Sequence, residues 1–142
     1  MVAYGQLISK KFLDLPKKGF INIHASILPR WRGAAPIQRA ISNLDKETGI
    51  SIMKITEKLD SGPVMRRIKI DISSSDSSDK ISKRLSKIGS ENIEHALDMI
   101  FEDKAKFIEQ EHKFATYAKK IKKSESKIHW NENAKNIIGK IN

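Results

Sequence analysis

The chain has 142 residues, of which 39% are hydrophobic and 6% aromatic, enough for one globular domain and too few for two comfortable ones. No apolar run approaches the roughly 20 residues that a membrane-spanning helix needs, and the N-terminus has no signal-peptide pattern. Because cysteine is absent, disulfides, thiolate catalysis and zinc–thiolate sites are excluded, and we expect a cytoplasmic protein.

The formal net charge is +10, from 27 Lys and Arg against 17 Asp and Glu. A field of this size favours anionic partners such as RNA, phosphorylated cofactors, polyglutamate tails or acidic lipids. An AT-rich coding sequence is an alternative explanation for part of the lysine excess. The charge therefore predicts an anionic partner without identifying it.

The first elements predict a βαβ unit. Residues 2–5 resemble the end of a buried strand, residues 8–15 carry a short helical pattern stopped by Pro16, and residues 20–24 form a second strand. Two strands separated by a helix indicate a parallel sheet and an α/β fold.

The second strand carries an amide and an imidazole two positions apart. Ile21 and Ile23 would face the core, so that Asn22 and His24 share the opposite side. The simpler interpretation is that Asn22 satisfies a strand-end backbone group and that His24 is an ordinary loop histidine. Because a turn-rich basic loop follows at once, a ligand site is about equally supported.

The middle of the chain predicts a helix and a hairpin. Pro36 stands in the first turn of a helix that runs to about Asn43. Strands follow at residues 50–56 and 64–72, joined by the turn-rich residues 57–63. The second of these strands places four apolar side chains on one face: Val64, Ile68, Ile70 and Ile72.

A polar loop at residues 73–79 supplies N-cap candidates for a long helix. Its apolar positions recur at helical spacing, and Gly89 either bends or divides it. The periodic residues are Ile81, Leu85, Ile88, Ala96, Leu97 and Ile100.

The last part of the chain is basic. Residues 113–127 hold six lysines against Glu125 without an apolar period, which indicates an extended linker or a surface-hugging segment. Residues 131–141 carry the pattern of a helix that the chain ends before finishing. We therefore divide the chain into an α/β part, 1–112, and a basic linker with the start of a helix, 113–142.

Further polar residues have two interpretations each. On its spacing alone, Asp60 is favoured about two to one as an Asx-turn residue; its functional alternative is to orient a charged His24. Trp31 is either a loop anchor or an aromatic plate, and Arg30 and Arg32 are either solvated or suited to phosphate or nucleic-acid contact.

Several other kinds of site find no support in the sequence. There is no phosphate-binding glycine loop and no nucleophilic serine in a GxSxG setting. No cluster of His, Asp or Glu has convincing metal spacing, so we predict no metal, and His95 and His112 look incidental.

Together these residues resemble the folate-dependent formyltransferases, and within them the branch that acts on methionyl-tRNA. The Asn-x-His pair and the later Asp of that family match Asn22, His24 and Asp60, which are 38 positions apart from first to last. Further segments agree as well: residues 2–5, 26–29, 30–39, 48–53, 59–62 and 116–121.

The resemblance implies a partial Rossmann-like α/β domain with a mixed sheet and flanking helices. It implies 10-formyltetrahydrofolate as co-substrate and no metal, with Asn22, His24 and Asp60 as catalytic residues. The folate contact falls on Ser26, Ile27, Leu28 and Pro29. The implied partner is initiator methionyl-tRNA, contacted by Arg30, Trp31, Arg32, Lys119, Lys120, Lys122 and Lys123.

Members of this family carry an earlier stretch of the Rossmann-like domain and a C-terminal β-barrel domain. We therefore expect this chain to be a central piece, weakly active or inactive alone, of an enzyme that is monomeric when complete. Two alternatives remain open. One is a non-enzymatic tRNA-binding fragment; the other is a formyltransferase for an amino-sugar nucleotide, against which the sequence of residues 30–38 argues.

Overall fold

The described part of the chain, residues 8–142 of this computed structural model, is built on a three-stranded sheet with helices packed against it. The predicted strand at residues 2–5 lies outside the described residues. The helices are α1 Lys10–Leu13, α2 Pro36–Ser42, α3 Ser78–Phe101 and α4 Ala134–Ile141. The strands are β1 Ile21–His24, β2 Arg32–Gly33, β3 Glu47–Lys54, β4 Val64–Asp71 and β5 Tyr117–Ala118.

The sheet has the order β1-β3-β4, and both of its pairings are antiparallel. The predicted hairpin is confirmed. Its first strand, β3, begins three residues earlier than the predicted strand at residues 50–56 and ends two residues earlier. Its early start pairs Glu47 with Asp71, and a Lys69–Glu47 ion pair lies beside that end. The parallel pairing predicted for residues 20–24 involves residues 2–5, so it falls outside the described part of the chain.

The core lies between the sheet and helices α2 and α3. Ile41, Ile50, Ile81 and Leu85 form its buried cluster, and Ile23 packs against it as predicted. Since Ile23 pairs with Ile52, the alternate residues Asn22 and His24 face the other side of the sheet.

Val64 does not share the apolar face of β4 with Ile68, Ile70 and Ile72, so the prediction of a single face is wrong for this residue. A β-bulge shifts the register, so that Ile52 pairs with Arg66 but Met53 pairs with Val64. Ile68, Ile70 and Ile72 pack against the helix-side core. Val64 instead joins Leu28 and Met53 in a separate buried cluster.

Helix α3 is continuous, so Gly89 does not divide it. Its N-terminus is capped by Ser77, whose hydroxyl accepts the Lys80 N–H at 3.3 Å, as the polar loop predicts. Gly89 is buried and lies opposite Ile23. No helix within residues 8–142 is long and apolar enough to cross a bilayer.

The predicted linker follows the surface of the domain and contains short regular pieces. Its strand β5 pairs in parallel with β2, and short 3₁₀ turns flank it at His112–Phe114 and Lys123–Ser126. Helix α4 then packs on α2, where Gly139 lies against the Ser42 carbonyl. The division at residue 112 stays a prediction, but the residues after it contact the loop that carries β2.

Two glycines give opposite predictions for alanine substitution. A Cβ on Gly49 would lie 2.0 Å from the Ile68 carbonyl oxygen, so Gly49→Ala should lower the free energy of unfolding by about 2 kcal/mol or more. A Cβ on Gly89 would meet only Ile23 methyl groups at 3.7 Å, so Gly89→Ala should raise it by about 0.5–1 kcal/mol.

Urea unfolding of the chain and both variants, followed by circular dichroism, measures these changes. A Gly89→Ala chain no more stable than the parent would contradict the packing described for α3.

Candidate active site

His24 stands at the end of β1 with a side chain only 7% exposed, and each of its ring nitrogens faces an acceptor. The Nε2 atom is 2.9 Å from the Trp31 carbonyl oxygen. The Nδ1 atom is 3.7 Å from Asp60 Oδ2, within ion-pair reach but beyond a normal hydrogen bond. An imidazole that carries protons on both nitrogens would satisfy both neighbours.

Asp60 lies in the turn between β3 and β4, in the left-handed backbone region with φ of 43°. Its Oδ2 accepts a hydrogen bond from the Gly33 N–H at 2.8 Å, 27 positions away. The Asx-turn interpretation of Asp60 is therefore wrong, because the carboxylate reaches across to another loop. Gly62 fixes the same turn, since a Cβ there would lie 2.1 Å from the Lys54 carbonyl oxygen.

Asn22 is half-buried on the same face of the sheet as His24. Its side-chain amide forms no hydrogen bond with any of residues 8–142. An amide group beside a His–Asp pair that has no partner among the described residues is a donor available to a ligand. The structure thus brings the three predicted catalytic residues to one face, where residues 8–142 leave the Asn22 amide unused.

The segment predicted to contact folate is fixed onto β3 by Ser51. The fully buried Ser51 hydroxyl donates to the Ser26 carbonyl at 2.7 Å and accepts the Leu28 N–H at 3.0 Å. The side chains of Ser26 and Leu28 are buried, so that only Ile27 and Pro29 present partly exposed side chains. The sequence analysis missed Ser51, although a serine within an apolar strand is a recognisable signal.

Trp31 anchors its loop, which is the first of its two interpretations, and Arg30 shares its partner. The Asp45 carboxylate accepts two hydrogen bonds from Arg30, at 2.8 and 2.6 Å, and one from the Trp31 indole at 2.7 Å. Burial raises the pKa of Asp45, but the hydrogen bonds from Arg30, Trp31 and Asn43 outweigh it and leave that pKa lowered. The loop is therefore held in one conformation, with Trp31 at φ of 61°.

Arg32 is only 3% exposed and is used internally. Its Nε and Nη2 atoms donate to Gln110 Oε1 at 3.1 and 2.7 Å, and Nη2 lies 2.9 Å from His112 Nδ1. His112 is thus a partner of the loop, and the expectation that it is incidental is wrong. Gln110 escaped the sequence analysis because it stands in a polar segment without period.

Arg39 of α2 binds the lysine-rich segment, residues 113–127. The guanidinium donates to the Lys119 carbonyl at 3.0 Å and to both oxygens of Glu125, at 2.7 and 3.1 Å. The hydrogen bonds from Arg39, followed by that from the Lys122 N–H, lower the pKa of Glu125 to about 2. The side chains of Lys119, Lys120, Lys122 and Lys123 are exposed to solvent.

A cleft of about 350 Å³ adjoins the Arg30–Trp31 loop. Its lining includes Ile27, Trp31 and Thr48, but none of the three predicted catalytic residues. We therefore do not assign the formyl-transfer chemistry to it. Among residues 8–142, no group of three or more His, Asp or Glu side chains is placed to hold a metal ion.

Comparisons with known proteins show the family of the chain. A family model described as formyl transferase matches residues 1–97. The methionyl-tRNA formyltransferase of Pelagibacter ubique is 63% identical over 142 residues, which are 100% of this chain and 46% of that protein. The methionyl-tRNA formyltransferase of Hahella chejuensis is 46% identical over 141 residues, 99% of this chain and 44% of that protein.

Solved structures show the same fold at low identity. WlaRD, a sugar 3N-formyl transferase solved in the presence of dTDP and 5-N-formyl-THF, matches with a TM-score of 0.87 at 20% identity, covering 99% of this chain and 51% of that one. PseJ from Anoxybacillus kamchatkensis matches with a TM-score of 0.78 at 23% identity, covering 99% and 73%. This chain spans less than half the length of the two curated relatives. It belongs to the formyl transferase family, and its mixed α/β architecture is a partial Rossmann-like domain of that family.

Proposed function

We propose that the protein carrying this sequence transfers a formyl group from 10-formyltetrahydrofolate to the amino group of methionyl-initiator tRNA. The observation that carries the proposal is the His24–Asp60 pair on the same sheet face as Asn22, whose side-chain amide makes no hydrogen bond with residues 8–142. The 63% identity to the Pelagibacter ubique methionyl-tRNA formyltransferase supports the choice of acceptor.

In the proposed reaction, attack of the amine on the formyl carbon leaves negative charge on the formyl oxygen. The bond from that carbon to N10 of the folate then breaks, N10 takes up the proton that the amine loses, and tetrahydrofolate leaves. The Asn22 amide, which residues 8–142 leave unused, is a donor for the negatively charged oxygen. His24 would also donate to it, by exchanging its contact with the Trp31 carbonyl at Nε2 for one with the substrate oxygen. Asn22 therefore acts from its resting position, whereas His24 needs a small rearrangement.

Asp60 has two tasks in this proposal. Its carboxylate, 3.7 Å from His24 Nδ1, holds the ring oriented. Directly or through a water molecule, it also helps move the proton that the attacking amine loses. The Gly33 N–H bond keeps the carboxylate turned toward the loop that carries Trp31.

The folate contact that we propose lies at residues 26–29, where the side chains of Ile27 and Pro29 are partly exposed. For the tRNA we propose Arg30, Trp31 and the four exposed lysines at positions 119, 120, 122 and 123. We leave Arg32 out of that surface, because its buried guanidinium faces Gln110 and His112.

The first test of the proposed function concerns the catalytic residues and uses a hybrid enzyme. In this hybrid, the segment of the Pelagibacter ubique enzyme that aligns with the chain is replaced by residues 1–142, because the chain spans 46% of that protein. His24→Ala and Asp60→Asn should each lower kcat by a hundredfold or more, about 3 kcal/mol of transition-state stabilisation. Formylation of charged initiator tRNA is the measurement.

The matched controls are His95→Ala and Asp98→Asn, exposed residues on α3 whose loss should leave kcat within about twofold. Retained turnover in His24→Ala or Asp60→Asn would contradict the assigned roles. Preference for an amino-sugar nucleotide over the tRNA would contradict the acceptor. We expect the 142-residue chain alone to turn over weakly or not at all.

The second test of the proposed function concerns the lysine-rich segment. Changing Lys119, Lys120, Lys122 and Lys123 to Gln should weaken tRNA binding by the hybrid enzyme and flatten the dependence of log K on log salt by about 0.7–0.9 for each lost phosphate contact. A four-lysine control on exposed positions elsewhere should change neither quantity: Lys83, Lys87, Lys104 and Lys106 to Gln. Equal effects of the two quadruple variants would show a general charge effect and contradict the proposed contact.

A further inference from the structure

Gln110 is a buried side chain near the site with four hydrogen bonds, and the proposed chemistry does not use it directly. It is 4% exposed. Its Nε2 atom donates to the Asp60 carbonyl at 2.9 Å and to the Gly62 carbonyl at 2.7 Å. Its Oε1 atom accepts both bonds from Arg32. One amide therefore ties the catalytic turn to the loop that carries β2.

That loop in turn holds the carboxylate of Asp60. Gly33, the neighbour of Arg32, donates its N–H to Asp60 Oδ2 at 2.8 Å. Position 33 requires glycine, because its φ is 115° and a Cβ there would lie only 2.9 Å from the Ala118 carbonyl oxygen. Asp60 is thus fixed at both ends, its carbonyl by Gln110 and its carboxylate by Gly33.

We propose that Gln110 is a positioning residue for formyl transfer, which sets the Asp60 carboxylate against His24 by holding the Asp60–Gly62 turn to the Arg32–Gly33 strand. This inference rests on the proposed function and extends it to a residue beyond the part of the chain that the family model matches. Gln110 acts through Asp60 and has no contact with the reacting atoms.

The nature of the amide explains the choice of residue. The two carbonyl oxygens need a donor, and the Arg32 guanidinium needs an acceptor, so both ends of one side chain are required. A carboxylate would keep the Arg32 contact but would place negative charge against the carbonyls of Asp60 and Gly62. Glutamate at position 110 should therefore displace the turn while retaining the loop partner.

A double-mutant cycle in the hybrid enzyme tests the proposal. Gln110→Glu should lower kcat about 10- to 100-fold with little change in KM for the formyl donor, because misplacement of a catalytic group affects the chemical step. In the Asp60→Asn background, the same change should cost less than about twofold. Asn136→Asp, an amide-to-acid change at an exposed position of α4, is the matched control and should be neutral in both backgrounds.

A second readout does not depend on turnover. In the 142-residue chain, Asp60→Asn should alter the ring ¹⁵N chemical shifts of His24, and Gln110→Glu should reproduce part of that change whereas Asn136→Asp should not. Gln110→Met, neutral and of similar length, is made in parallel, with thermal unfolding measured for every variant. Unfolding of both Gln110 variants would contradict a positioning role and indicate a structural one.

The outcomes separate this inference from the function on which it rests. Multiplicative losses for Gln110→Glu and Asp60→Asn, or unchanged His24 shifts in Gln110→Glu, would overturn the role of Gln110 alone. Unimpaired Asp60→Asn would instead overturn the proposed function. A kcat loss absent from the Asp60→Asn background, together with moved His24 shifts, would support both.

Discussion

The guanidinium of Arg32 lies in the interior of the domain, and because a charge removed from water must be met by hydrogen bonds, its surroundings have little freedom. Gln110 and His112 meet it on one side, and the parallel pairing of β2 with β5 fixes its backbone. Since Gly33 follows Arg32 directly, the N–H that holds the Asp60 carboxylate is placed by the same constraint. The geometry of the site therefore depends on segments that are far apart in sequence.

This dependence explains which parts of the site could be predicted from the sequence. Asn22 and His24 lie on one strand, so the alternation of side chains along a strand suffices to place them on one face. The hairpin and the capped helix α3 are likewise local, since turn residues and the Ser77 cap act within a few positions. The catalytic role of Asp60 is predicted only by the resemblance to the formyltransferases, because its spacing alone favours an ordinary turn residue.

The features that could not be predicted are set by contacts across the chain. The Gly33–Asp60 hydrogen bond and the bulge that turns Val64 away from Ile68 depend on tertiary packing, which leaves no periodic signal in the sequence. Gln110 stands in a polar segment, and polarity alone does not distinguish a buried amide from a solvated one. The burial of Arg32 could not be predicted for the same reason, because a basic residue next to a tryptophan suits both an RNA-binding surface and a buried anchor.

The division of work between arginine and lysine follows from their chemistry. Arg30, Arg32 and Arg39 each use the planar fork of the guanidinium to hold more than one acceptor within the fold. The lysines of residues 119–123 are compact charges on flexible stems, and they point to solvent from a segment whose backbone Arg39 holds. A buried arginine such as Arg32 adds little to the attraction of a polyanion, whereas an exposed lysine can exchange counterions for phosphates. In the proposed complex with tRNA, the electrostatic attraction of this face therefore comes mainly from its lysines, and Arg39 holds the backbone of the segment that carries them.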